Sequence, residues 1–239
     1  MKRMGGDQRH ASCRPGALLC AALSAMIALA PASASTADLS KEQQLVDDAL
    51  KTWKNFAASP GLSRELRDWL RMAKGVFILP QIIRGAAVFG AAGGRGVLLV
   101  RDATTDEWSG PAFYWVHALS FGLQAGADVL EVIVVVTNER GLEHFYQSHF
   151  KIGMDTQLAA GPVGGGMTVA GLKADLFAYA RAKGVFAGLA VDGGRISVSD
   201  KFNQSYYGHP VKPTEILVQK SVTNPHAQDL RNAVTGRMR

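Results

Sequence analysis

Cysteine is almost missing from this 239-residue chain, and both copies, Cys13 and Cys20, fall within the first 20 residues. That stretch has the three parts of a secretory signal. Lys2, Arg3, Arg9 and Arg14 form a basic lead, residues 17–30 are apolar, and Ala32-Ser33-Ala34 puts small residues where a signal peptidase reads. Cleavage is expected after Ala34, which would leave a mature chain without disulfides, thiolate nucleophiles or cysteine metal sites. The apolar stretch is shorter than the roughly 20 residues that span a bilayer. Leu19 stands before Cys20 where a lipoprotein signal wants a small residue, so the expectation is export to the periplasm or cell surface without lipidation.

Catalytic motifs are also missing. There is no GxSxG elbow, GxxxxGK[ST] phosphate loop, HExxH pair or DxDxDG calcium loop. His144 and His149 are five residues apart and so point to different helix faces, and His117 lies among strand residues. Ser120 with His117 has no recognisable acid or oxyanion motif beside it. The expectation is a protein that is not an enzyme and carries no metal or cofactor. The net charge of +6 falls to +3 once the leader is removed, with 22 basic against 19 acidic residues left. That balance lacks the dense basic stripe of nucleic-acid binding but is compatible with anionic surfaces.

What the chain does have is glycine, 26 in all, and nine of these are set among β-branched and aromatic runs between Ala73 and Gly126. Glycine weakens a strand by roughly 0.5–1 kcal/mol, so this density implies bulges, bends or close backbone approach. Strands are expected near 76–79, 86–89, 97–101, 112–119 and 129–137, and the last is apolar except for Glu131, as in a strand covered on both faces. Residues 176–182, 185–191 and 195–198 read as a meander. Helical spacing marks Lys41–Phe56, with Leu45, Val46, Ala49, Leu50, Trp53 and Phe56 on one side. A second helix runs from the Ser63 cap to Ala73, and a third follows the Asn138 cap.

The fold class expected is α+β: a strongly bent, mainly antiparallel sheet with N-terminal amphipathic helices and one further helix after the central strands. Residues 1–34 form the leader, 35–62 the first helix and linker, 63–220 the main domain, and 221–239 a polar tail that frays or packs weakly. Two groups are binding candidates. Trp53 and Phe56, with Lys51 and Lys54, could seat the first helix at a lipid interface or dock it on the sheet. Lys74, Arg84, Arg95 and Arg101 could form a cationic rim beside the glycine turns, or be solvated surface charges. The loop Gly161-Pro162-Val163-Gly164-Gly165-Gly166 is read as a close chain crossing or an anion nest.

Several motifs occur in consistent order from about Leu66 to Val218. They are Ala73-Lys74-Gly75 leading to Pro80, Gly93-Gly94-Arg95-Gly96-Val97-Leu98-Leu99-Val100, Trp108-Ser109-Gly110-Pro111-Ala112-Phe113, Ser120-Phe121-Gly122-Leu123-Gln124-Ala125-Gly126, Ala160-Gly161-Pro162-Val163-Gly164, Lys183-Gly184-Val185-Phe186-Ala187-Gly188 and Tyr206-Tyr207-Gly208. Together they resemble the SYLF domain family. The resemblance implies a lipid-binding module, since eukaryotic members bind phosphoinositides and some yeast members bind actin filaments. Partners implied here are an anionic phospholipid or acyl chain at a membrane surface, or alternatively a protein in an envelope scaffold, and not nucleic acid. The chain departs from the family at Ala180 and Ala182, where serines are common, and at Gly165-Gly166, where an arginine is common.

Overall fold

A computed structural model of the chain describes residues 39–59, 68–84, 92–118, 120–122, 129–160, 174–182, 185–187, 190–192 and 194–236. The leader, the strand expected at 86–89 and the glycine loop 161–166 lie outside the described residues.

Helix α1 spans Lys41–Ala57. The Ser40 side chain accepts from the Gln43 backbone N–H while the Gln43 side chain accepts from the Ser40 N–H, a reciprocal capping box that fixes its start. Strands β1 (Gly75–Arg84), β2 (Ala92–Arg101), β3 (Trp108–Ala118) and β5 (Val129–Val136) form the centre of a curled sheet. A short β4 (Ser120–Gly122) precedes β5, and helix α2 (Glu139–Tyr146) follows it, capped by Asn138 as the sequence indicates. Then come β6 (His149–Lys151), β7 (Leu158–Ala160), β8 (Leu176–Ala182), β9 (Val185–Ala187), β10 (Ala190–Asp192) and β11 (Arg195–Val198). The chain continues through helices α3 (Asp200–Tyr207), α4 (Pro213–Leu217) and α5 (Gln228–Val234).

Strand order in the main sheet is β6-β11-β3-β2-β1-β5-β8-β7, with β9 on β8. Every pairing is antiparallel except β7 with β8, so the expected α+β class with a mainly antiparallel sheet is what the chain adopts. The C-terminal strands depart from a meander. β10 pairs with β4 in a separate ladder, and β11 crosses to β3. Tertiary pairing wins here over sequence adjacency.

Both faces of the sheet are covered. Along β5, Val132, Val134 and Val136 join the core under α2 and α4, while Ile133 and Val135 join the core under α1, α3 and α5. This two-sided burial explains its unbroken apolar run. Glu131 is the polar exception because it faces α1. Its carboxylate accepts from Thr52 Oγ1 at 3.2 Å and Asn55 Nδ2 at 3.0 Å, and pairs with Arg181 at 2.7 Å.

The polar tail packs on the core through Val234. Leu230, Ala233 and Val234 are buried, and Trp53 Nε1 donates to the Ala233 carbonyl at 3.0 Å, tying α5 to α1. Their i, i+3, i+4 spacing makes a short apolar stripe that the surrounding polar composition obscures. Helices α3, α4 and α5 were likewise not expected.

A candidate ligand-binding cleft

A break in β1 creates the site. Its pairing with β2 shifts between Ile78 and Gln81, and its pairing with β5 shifts between Leu79 and Ile82, so the strand bulges at Pro80. The bulge presses against β2. A Cβ on Gly94 would lie 2.3 Å from the Gln81 carbonyl oxygen, and one on Gly96 would lie 2.7 Å from that of Ile78. These two positions need glycine for close backbone approach, and Arg95 stands between them.

Arg95 pairs with Trp115 across β2 and β3, and Gly93 pairs with His117 two residues on, which puts these side chains on one face. The Arg95 guanidinium carbon sits 3.7 Å from the Trp115 ring centre and 4.6 Å from that of Phe202 on α3. The His117 ring lies nearly parallel to Trp115 at 5.9 Å. The N-terminal half of α1 forms the opposite wall with Lys41, Gln44, Leu45 and Asp48, and the open cleft between has a volume of about 510 Å³.

Arg95 Nε is buried without a hydrogen-bond partner. Among the described residues no carboxylate pairs with the guanidinium. Asp48, the acidic residue in the cleft wall, is bonded to Lys51 at 3.0 Å. At the mouth, Ile83 and Val129 pair across β1 and β5 and are 54% and 44% exposed, an apolar tip beside a cationic wall.

The sequence candidates divide. Arg95 is in the cleft. Lys51 and Lys54 lie on the exposed side of α1. Trp53 and Phe56 are 2% and 0% exposed, so α1 docks its aromatic side on the sheet and they are not at a surface where lipid could meet them. Burial of this kind contributes about 1.5–3 kcal/mol per large side chain. Lys74 pairs with Glu139 at 3.0 Å. Arg101 pairs with Asp106 and donates to the Leu70 and Arg71 carbonyls, roughly 20 Å along β2 from Arg95 at strand spacing. Lys74, Arg95 and Arg101 therefore do not form one rim. The side chain of Arg84 lies outside the description. Lys41, Trp115 and Phe202 line the cleft without having been sequence candidates, and the i, i+2 alternation of Trp115 with His117 is the signal in the sequence for one wall.

The two histidines considered for metal go separate ways. His144 buries both ring nitrogens without partners, next to Phe150, while His149 Nδ1 meets Ser148 Oγ. No group of His, Cys, Asp and Glu among the described residues is arranged to hold a metal ion, and no described helix is long and apolar enough to cross a membrane.

Residues 117–237, half of the chain, match the family described as Ysc84, Las17-binding protein actin regulator. The chain belongs to the Ysc84 family. This is the SYLF resemblance seen in the motifs, and the match runs through α5, beyond the boundary expected near Val218. The family description is that of a protein-interaction module. "SH3 domain-containing YSC84-like protein 1" from Bos taurus and from Homo sapiens are each 26% identical to the chain, over 163 and 162 residues, which is 66% of this chain and 47% of theirs. "Protein YSC84" of Saccharomyces cerevisiae is 26% identical over 176 residues, 70% of this chain and 37% of its own. The chain spans about half the length, or less, of these relatives. The Ysc84 match begins at His117, so the β1 and β2 walls of the cleft lie upstream of it.

Proposed function

We propose that this Ysc84-family chain is a non-catalytic binding module of the bacterial envelope that attaches to anionic phospholipid. The observation that supports this most is the pairing of an exposed apolar tip, Ile83 and Val129, with a cleft carrying Lys41, Arg95 and His117. An amphiphile at a membrane surface offers both halves of the complement, acyl boundary for the tip and headgroup charge for the cleft. Lys51 and Lys54, on the exposed side of α1, add positive charge on the same helix.

Vesicle co-sedimentation tests the reading. Vesicles of phosphatidylcholine with about a fifth phosphatidylserine should pull the chain down, pure phosphatidylcholine should not, and rising salt should release it as charges are screened. Replacing both Ile83 and Val129 by Asp should abolish the pull-down. Equal binding to neutral vesicles, or none to either, overturns the proposal. The family description favours a second reading, an envelope scaffold that binds a protein, and absence of vesicle binding together with a stoichiometric co-purifying protein would support it.

A further inference from the structure

Arg95 is an arginine that the fold holds in place without a counter-ion among the described residues. Its guanidinium is stacked on Trp115 at 3.7 Å and faces Phe202 at 4.6 Å, and its Nε has no acceptor. Buried donors in native proteins are almost always satisfied, so an orphaned one calls for a missing partner. Ring faces offset part of the cost of desolvating the cation, and they also fix the side chain, so little rotamer freedom remains to be lost on binding. The neighbouring carboxylate, Asp48, is engaged by Lys51, which leaves Lys41, Arg95 and His117 as the charged or titratable side chains of the wall without such a partner among the described residues. The cleft is also larger than a carboxylate needs.

We propose that this cleft is an oxyanion site for a phosphate ester, with Arg95 as the principal contact and Lys41 and His117 beside it. The guanidinium suits a tetrahedral oxyanion because its donors lie in a fixed fork. The inference rests on the reading that this cleft is the ligand site of the module, and it names the group the cleft grips. A lipid headgroup and a free phosphate ester share that chemistry.

The test is calorimetric titration of the folded chain with inorganic phosphate and with glycerol 3-phosphate, at constant ionic strength set with chloride, alongside vesicle co-sedimentation. Saturable phosphate binding is expected. Arg95→Gln should weaken it at least tenfold, Arg95→Lys should leave an intermediate affinity because the charge stays while the planar stack goes, and Lys41→Gln should weaken it a few-fold. Lys41 is an exposed first-turn residue, so its variant tests the site even where a change at Arg95 disturbs the sheet. Unaltered phosphate affinity in Lys41→Gln and Arg95→Gln, or heat of binding that chloride reproduces, overturns the site. Phosphate binding without vesicle binding supports the site and sinks the membrane reading. Vesicle binding that persists in Arg95→Gln, with no phosphate titration, sinks the site and leaves the membrane reading standing.

Discussion

Gly94 decides whether the cleft exists, because the carbonyl of Gln81 occupies the space a side chain would need. The obstacle at 2.3 Å is backbone and not a flexible side-chain end, so Gly94→Ala must push β1 and β2 apart. Overpacking of this kind costs about 1–3 kcal/mol. Gly208 makes the contrast. Its φ of +82° ends α3 in the left-handed region, but a Cβ there meets nothing within 4 Å, so only backbone strain opposes Gly208→Ala. That strain is about 1 kcal/mol. Urea unfolding should therefore rank Gly94→Ala below Gly208→Ala in stability, and the former should also lose phosphate affinity because Arg95 moves with its strand. The reverse order would mean that the bulge yields easily and does not hold Arg95.

Helix α1 is the element on which the rest of the assembly leans, since it packs its buried stripe on β1, β2 and β5 and meets α5 at its far side. Its existence was legible in the sequence, because 3.6-residue spacing and a capping box are local signals. What its buried side faces was not, because Trp53 and Phe56 serve a lipid interface and a sheet equally well by composition. The same limit applies to the cleft. Arg95 and Trp115 meet only through the β2–β3 register, which the turn at residues 102–107 sets, and Phe202 arrives from α3. Residue spacing carries no information about such long-range pairings. At this scale Leu230→Ala should destabilise the fold by about 2–5 kcal/mol, the usual cost of a core truncation, whereas a tail that frayed would be indifferent. Trp53→Phe removes the bond to Ala233 and keeps an aromatic ring, so about 0.5–1.5 kcal/mol is expected. Thermal melts of the two variants distinguish a clamped C-terminus from a loose one.

Across the whole molecule, ionisable groups tie stretches that are far apart in sequence, and they set a pH window. The Lys220 ammonium holds the Asp102 carboxyl well below the usual range, with help from the Thr105 and Thr104 backbone N–H groups, and so joins the β2–β3 turn to the segment after α4. Burial alone would raise Asp175, but the Gln157 backbone N–H, Arg140 and Asn138 more than offset it, and its carboxyl titrates below the ordinary value. Asp175 thereby binds β8 to α2 and to the start of β7. For carboxyls depressed in the folded state, the stabilisation is complete above the unfolded value near 3.9 and is lost as pH falls through the folded value. Burial works at the other end, raising Tyr114, Tyr206 and Tyr207 and pushing Tyr146 up to about 12. Their contribution is complete below the unfolded value near 10 and is lost above it. Chemical denaturation followed by circular dichroism should show a stability plateau from about pH 5 to 9 with a fall on each side. Asp175→Asn should lower the plateau and flatten the acid limb, because a neutral amide has no proton to gain. An acid limb parallel to that of the native chain would show that the charge of Asp175 contributes nothing to the fold.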